Sequence, residues 1–156
     1  MEFTKKEAFA IQITNYLKNK KFKEACRLSE DMLKKFPKEP LSHFMAAKCY
    51  YLSGDYEKAK TEGHKAFNMS HTKSDMMVSA IVTASAYYML KEYQKGYKML
   101  SSFEKENNAE VKKLLLMFSV VMKNEKKAAE YYKQLDDLNH AAAEKFIRNL
   151  AAGSRH

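Results

Sequence analysis

Histidine and cysteine are the residues of this sequence best suited to bind a metal ion, but their spacing does not favour a metal site. No two histidines show the i, i+4 spacing that places a pair of ligands on one face of a helix. Neither Cys26 nor Cys49 lies close in sequence to a histidine. We therefore predict no metal site among the histidines, which are His43, His64, His71, His140 and His156.

The residue pattern also gives little support to phosphate binding or nucleophilic catalysis. A phosphate-binding loop needs clustered glycines, and the four glycines of this chain are isolated from one another. Cys26 is interpreted as a packing residue, and the alternative, a nucleophile activated by Arg27, requires an exposed thiol. The chain is thus predicted to be non-catalytic and to need no cofactor.

The composition indicates a helical, globular protein. Of the 156 residues, 46% are hydrophobic and 30% charged, with only four glycines and two prolines. Two cysteines are too few for a disulfide framework and indicate a reducing compartment. No signal peptide or membrane-spanning stretch is visible, so we expect a cytoplasmic protein. Residues 1–3 and 153–156 could be cloning residues, in which case a native targeting segment could have been removed.

A pattern of aromatic and small residues recurs along the chain. Phe22, Tyr56 and Tyr93 mark successive copies, which are 34 and 37 residues apart. The three additional residues are assigned to the polar loop 70–75. A fourth copy follows near residues 123–129, where the register is ambiguous by one residue.

Each copy is predicted to form two helices joined by a tight turn, and no strand is expected. In the second copy the helices span residues 41–53 and 56–70. Gly54 is predicted to end the first helix in a left-handed conformation, and Asp55 to cap the second. Gly63 lies inside a helix, where glycine is unfavourable, and is interpreted as a point of close helix packing; the alternative is the approach of a ligand.

The second copy resembles the tetratricopeptide repeat (TPR) family. Ala47 and Ala59 stand at its small positions, Tyr50 at an aromatic position and residues 54–56 at its turn. The matching residues of the other copies are Tyr16, Phe22, Ala25 and Pro37 in the first, and Ala84, Tyr87, Tyr93 and Gly96 in the third. The fourth copy lacks the turn aromatic, and His71 replaces the usual terminal proline.

The resemblance implies an all-α fold, namely a right-handed superhelical stack of antiparallel helix pairs with a C-terminal capping helix. A single TPR-like domain is expected over residues 4–152. Its repeat units are placed at about residues 6–39, 40–73, 77–108 and 109–138, followed by the capping helix at 140–152. On that helix Phe146, Ile147 and Leu150 form an apolar stripe that is expected to pack on the stack.

In this family, the first helix of each unit lines a concave binding surface. Carried over, the groove comprises Thr14, Leu17, Phe44, Lys48, Tyr51, Ile81, Ser85, Tyr88 and Met89, beside Ala10, Leu41 and Val78. The fourth unit adds either Leu114, Phe118 and Val121 or Lys113, Met117 and Val120. Adjacent helical residues diverge by about 100°, so Tyr50 is expected to pack between helices while Tyr51 faces the groove. The family's positions for gripping a C-terminal carboxylate hold uncharged residues here, so that binding mode is not expected.

We therefore predict a non-catalytic adaptor that binds a peptide segment of another protein, extended or helical and flanked by acidic residues, in an apolar and aromatic groove. Two alternatives stay open: a small chaperone that shields an apolar client segment, and an oligomerising scaffold. The scaffold would contact an acidic partner, a membrane surface or nucleic acid through a basic rim, in a chain of net charge +9. The rim comprises Lys18, Lys20, Lys21, Lys23, Lys126 and Lys127. Nucleic acid is disfavoured because the exposed aromatics are expected in the groove, and membrane contact is expected to be peripheral at most.

Overall fold

Nine α-helices and no strand make up the part of the chain that the computed structural model describes, residues 5–153. In chain order they are α1 (Lys6–Lys18), α2 (Phe22–Lys35), α3 (Pro40–Ser53), α4 (Tyr56–Met69), α5 (Lys73–Met89), α6 (Tyr93–Ser101), α7 (Ala109–Val121), α8 (Glu125–Leu138) and α9 (His140–Gly153). The chain divides between Glu92 and Tyr93 into two compact units. The all-α prediction is confirmed, and the single domain over residues 4–152 stays a prediction.

The four turns that join α1–α2, α3–α4, α5–α6 and α7–α8 share one backbone geometry. A left-handed residue follows or nearly follows the first helix, with φ of 57° at Lys20, 91° at Gly54, 61° at Lys91 and 59° at Lys123. In the second turn the amide of Asp55 donates to the carbonyl of Tyr50 at 2.8 Å, and the other three turns repeat this bond at 2.8–2.9 Å. This is the bonding of a Schellman turn. The prediction for Gly54 is confirmed, and lysines adopt the same conformation in the other three turns.

The recurrence of this turn settles the register of the fourth copy. Lys123 follows Lys91 by 32 residues in the same left-handed position. The fourth-copy residues that correspond to Ile81, Ser85 and Tyr88 are therefore Lys113, Met117 and Val120. Of the other predicted set, Leu114 and Phe118 are buried in the core, as expected for residues on the packed face of α7.

The additional residues of the third copy extend a helix, so the predicted loop 70–75 is wrong in its second half. Thr72 caps α5, because its hydroxyl accepts a hydrogen bond from the amide of Asp75 at 3.1 Å. As a result α5 has 17 residues, whereas α3 has 14. Local capping chemistry therefore converted the expected loop residues Lys73 to Asp75 into the first turn of α5.

The other helix ends differ from the predicted ones by a single residue. In the second copy, α3 begins one residue early at Pro40, since proline is favoured in the first turn of a helix, and α4 ends one residue early at Met69. At the C-terminus, α9 continues one residue beyond the predicted end, through Gly153, the first of the candidate cloning residues 153–156. The other residues of that assignment, 1–3 and 154–156, lie outside the described part of the chain.

Small residues allow the helices of the first unit to approach closely. Ala47 and Ala59 are fully buried where α3 packs against α4. Gly63 on α4 faces Thr83 on α5, and a Cβ atom at Gly63 would overlap with Thr83 Oγ1 and lie 3.1 Å from Thr83 Cβ. The interpretation of Gly63 as a site of close helix packing is thus confirmed.

Large side chains fill the core of the second unit. Phe118 on α7 is fully buried, and so is Tyr131 on α8. The hydroxyl of Tyr131 donates to Glu104 Oε1 at 2.7 Å and lies 2.9 Å from the hydroxyl of Tyr97. A buried phenol therefore joins α8 to α6 and to the α6–α7 connection.

The apolar stripe of α9 is buried only near the start of the helix, which corrects the prediction for the capping helix. Ala143 is buried and Phe146 half-buried, whereas Ile147 and Leu150 are each 45% exposed. The link to α8 is short, and α9 leaves the packed surface after its first two turns. The predicted stripe of Phe146, Ile147 and Leu150 is therefore only partly covered.

Candidate functional site

The first compact unit, which ends at Glu92, presents a face of α3 that carries Phe44, Lys48 and Tyr51. These residues are separated by four and three positions, so they lie on one side of the helix. All three are half-buried, while Ala46 and Cys49 on the other side of α3 are fully buried. The core of the unit thus holds α3 mainly by small residues, together with Met45, and leaves Phe44, Lys48 and Tyr51 half-buried.

A second set with the same spacing lies on α5, which packs against α3. It consists of Ile81, Ser85 and Tyr88, all half-buried. Burial raises the pKa of Tyr51, the neighbouring Tyr56 adds to the effect, and a hydrogen bond with Ser85 acts in the opposite direction. The structure thus brings residues of the two helices together. We call these six residues, three from each helix, the α3–α5 face.

Of the two groove residues predicted on α1, Leu17 lies in the core and Thr14 is half-buried. Leu17 is only 8% exposed and packs in the core cluster with Ile13 and Met32, so its assignment to the groove is corrected. Leu17 follows Ile13 by one helical turn, and this apolar stripe is what holds α1 in the unit. The hydroxyl of Thr14 donates to the carbonyl of Ala10 at 2.8 Å, within its own helix.

A depression of about 370 Å³ adjoins the α3–α5 face at the first turns of α3 and α5. Phe44 and Leu41 from α3 line it together with Val78 from α5, which is 39% exposed. An ion pair of 2.8 Å between Lys6 and Glu39 closes one side. Sequence reasoning missed this pair, because its members lie 33 positions apart and carry no local signal. At the other end of α5, Met89 is 44% exposed.

The neighbouring residues Tyr50 and Tyr51 are both half-buried, which corrects the expectation that Tyr50 is a core residue. The Tyr50 hydroxyl donates to Glu30 on α2 at 3.3 Å, and the Lys58 ammonium lies 5.5 Å from its ring centre. Tyr51 packs against the ring of Tyr56, with 5.6 Å between centroids. The two tyrosines do face different neighbours, as helix geometry requires, but neither is sealed from solvent.

Comparison with known proteins agrees with this architecture. Residues 18–102, more than half of the chain, match the family described as anaphase-promoting complex, cyclosome, subunit 3. The chain belongs to this TPR family. No curated protein sequence matches the chain.

Several solved TPR structures share the fold at low sequence identity. PilF of Pseudomonas aeruginosa is 20% identical with a TM-score of 0.76, over 86% of this chain and 61% of that one. The Cut9–Hcn1 hetero-tetramer of the anaphase-promoting complex is 20% identical with a TM-score of 0.74, over 92% of this chain and 28% of that one. YrrB, described as a TPR protein with an unusual peptide-binding site, is 14% identical with a TM-score of 0.68, over 86% of this chain and 70% of that one. This TPR chain therefore spans less than two thirds of PilF and about a quarter of the Cut9–Hcn1 chain.

The lysines predicted as a basic rim of the TPR array differ in their environment. Those around the first turn, namely Lys18, Lys20, Lys21 and Lys23, are exposed, and so is Lys126 in the second unit. Lys127 is half-buried and lies 3.5 Å from carboxylate oxygens of both Glu104 and Glu130. Its charge is therefore engaged within the second unit, which makes it a poor rim residue.

The buried titratable groups of this TPR chain serve packing. Burial, with a smaller contribution from Lys60, lowers the pKa of His64, whose Nε2 lies 2.6 Å from the hydroxyl of Tyr87. Burial raises the pKa of Cys49 to about 12, so its thiol is inert at neutral pH. Lys112, 5% exposed, donates to the carbonyl of Glu104, and burial lowers its pKa. Each of these groups joins two elements of the fold.

The described range, residues 5–153, holds neither a candidate metal-binding group nor a candidate membrane-spanning helix. No three histidine, cysteine or acidic side chains in it are grouped closely enough to hold a metal ion. None of its helices is both long enough and apolar enough to cross a membrane.

Proposed function

We propose that this chain is a non-catalytic adaptor that binds a peptide segment of a partner protein on the α3–α5 face. The family is one of protein-interaction adaptors, and the TPR relatives include a peptide-binding protein and a hetero-tetramer. The observation that carries the proposal is the paired surface of Phe44, Tyr51 and Tyr88, large side chains that remain half-buried on helices that pack together mainly through small residues. Such aromatic side chains are the usual anchors of peptide interfaces.

The test needs a probe that does not presuppose the partner. A phage-displayed random peptide library would be selected on the wild-type chain, and the selected peptides would be measured on the variant Tyr51→Ala with Tyr88→Ala. We expect a loss of affinity of about 30-fold or more, since an interface anchor is commonly worth 2 kcal/mol or more. Unfolding midpoints of the same proteins would show that the variant is folded.

Tyr50→Ala is the matched control, because it removes an adjacent, similarly half-buried tyrosine from a different side of α3. The selected peptides should bind this control with wild-type affinity. If they bind the Tyr51 and Tyr88 variant equally well, and lose affinity only when the lysines around the first turn are changed, the α3–α5 face is not the binding surface.

A further inference from the structure

Lys48 differs from every other lysine that is buried or half-buried. Within residues 5–153 there are five such lysines, and four of them have a partner. The four are Lys6, paired with Glu39; Lys60, paired with Glu57 and Glu92; Lys112, bonded to the Glu104 carbonyl; and Lys127, paired with Glu104 and Glu130. For Lys48 the described residues provide neither an ion pair nor a hydrogen bond. The Lys48 charge is thus not engaged by the fold and is available to an anionic group of a bound segment.

The surroundings of Lys48 indicate the chemistry of that group. Lys48 lies on the α3–α5 face between Phe44 and Tyr51, one helical turn from the depression that Phe44 lines. Glu39, which is paired with Lys6, and Asp75 also line that depression. An anionic group on a bound segment is therefore attracted to Lys48, while an apolar group fits against Phe44.

We infer that the bound segment carries an acidic side chain that pairs with Lys48, together with an apolar side chain that packs against Phe44. This inference rests on the proposed function and specifies the partner's chemistry. Phe44 and Lys48 are separated by one turn, which is about 6 Å along the helix axis. In an extended peptide, side chains two residues apart point the same way and lie about 6.5–7 Å apart. The predicted recognition element is thus an apolar residue, any residue, and then aspartate or glutamate, in either chain direction.

A single cation also limits the class of partner. Nucleic acid binding depends on several lysines or arginines that neutralise successive phosphates. On the α3–α5 face Lys48 is accompanied by apolar, aromatic and hydroxyl side chains, with no second cation. One carboxylate within an otherwise apolar segment matches this arrangement.

The test uses three pools of capped synthetic peptides with a fixed phenylalanine, one randomised residue and then glutamate, glutamine or lysine, flanked by randomised residues. Wild-type chain is expected to bind the glutamate pool roughly tenfold more tightly than the lysine pool, as for a partly desolvated ion pair. Lys48→Glu should reverse this order, and Lys48→Met, which keeps the apolar stem, should remove it. The wild-type preference should also shrink as salt is raised.

Equal binding of the glutamate and lysine pools, or a preference that survives in Lys48→Glu, would overturn the inference. The proposed function would still stand in that case, provided that Tyr51→Ala with Tyr88→Ala weakens binding of all three pools. If no pool binds the wild-type chain, or if binding is indifferent to both the tyrosine and the Lys48 variants, both the inference and the proposed function fail. Circular dichroism of each variant keeps a folding defect from being mistaken for lost recognition.

Discussion

The two compact units of this chain use their large side chains in different ways. In the first unit, α3, α4 and α5 pack mainly through buried alanines and Gly63 and leave Phe44, Tyr51 and Tyr88 half-buried. Larger side chains such as Ile13 and Met32 fill the core formed with α1 and α2. In the second unit the large side chains, such as Phe118 and Tyr131, are themselves the core. The positions that correspond to the α3–α5 face are there occupied by Lys113, Met117 and Val120. Helices that pack through small residues leave their aromatic side chains near the surface, whereas helices that pack through large residues bury them.

The largest effect is expected from Tyr131 in the second unit. Tyr131→Ala removes a fully buried ring and should lower the free energy of unfolding by about 3–5 kcal/mol. Tyr131→Phe keeps the ring but removes the hydrogen bond to Glu104, and should cost about 1–2 kcal/mol. Denaturant unfolding of both variants is the measurement. Equal losses for the two would show that the hydroxyl network, rather than ring burial, holds this core.

The corresponding change in the first unit is Gly63→Ala, which adds volume where α4 and α5 approach closely. The new methyl group would overlap with Thr83 Oγ1, and we expect a loss of about 1–3 kcal/mol. Thr83→Ala in the same chain should restore part of the loss, a coupling that a double-mutant cycle detects. Gly153→Ala is the control, because nothing lies within 4 Å of its added methyl group. A Gly63→Ala protein as stable as wild type would refute the close approach of α4 and α5.

The shared turn geometry predicts substitutions of opposite sign in the two units. Gly54→Val places a β-branched residue in a left-handed conformation and should cost about 1–2 kcal/mol, although its side chain meets no neighbour. Lys123→Gly removes the same strain and should stabilise by about 0.5–1 kcal/mol, after allowing for the greater freedom of unfolded glycine. Thermal midpoints would report both. A destabilised Lys123→Gly variant would mean that the lysine side chain matters more than backbone strain.

The smallest effects are expected from two histidines with opposite pH dependence. Burial lowers the pKa of His64 in the first unit. The unfolded chain therefore takes up a proton first as the pH falls below the ordinary value of 6.5, and stability due to His64 is lost on acidification. Asp136 raises the pKa of His140 in the second unit, with a smaller effect of Glu144. The contribution of His140 is therefore present at low pH and is lost as the pH rises through its folded-state pKa.

Comparing His64→Gln and His140→Gln with wild type at about pH 5 and about pH 8 tests these signs. The difference in free energy of unfolding between wild type and His64→Gln should be larger at the higher pH. The difference between wild type and His140→Gln should be larger at the lower pH. Differences that do not change with pH would show that neither histidine is linked to folding through its proton.

Most of the local structure followed from short stretches of sequence. The left-handed Gly54 and the cap of α4 by Asp55 are decided by residues within a few positions, and both were predicted. The lysines in the other three turns were not, because no rule based on residue type favours lysine in a left-handed conformation. The repeat itself identifies such positions, since the same turn recurs at equivalent places.

The candidate site was predicted less completely, because it depends on contacts between distant residues. Phe44, Lys48 and Tyr51 share a face by helix periodicity alone. Leu17 was placed in the groove by the same periodicity, but the core cluster of the first unit buries it. Tyr50 was placed in the core and is half-buried instead. Periodicity determines which residues share a side of a helix but not how deeply that side is covered.

The amino-acid sequence by itself determined the repeat, the helix pairs and their turns, because each arises from residues that interact within one or two helical turns. The tertiary structure alone decided that Lys6 of α1 forms an ion pair with Glu39, and that no described residue pairs with Lys48. It also decided that the stripe of α9 is covered only near its start. These features depend on which side chains come into contact after the chain has folded. When two such residues are 30 or more positions apart, as Lys6 and Glu39 are, no local sequence pattern indicates the contact.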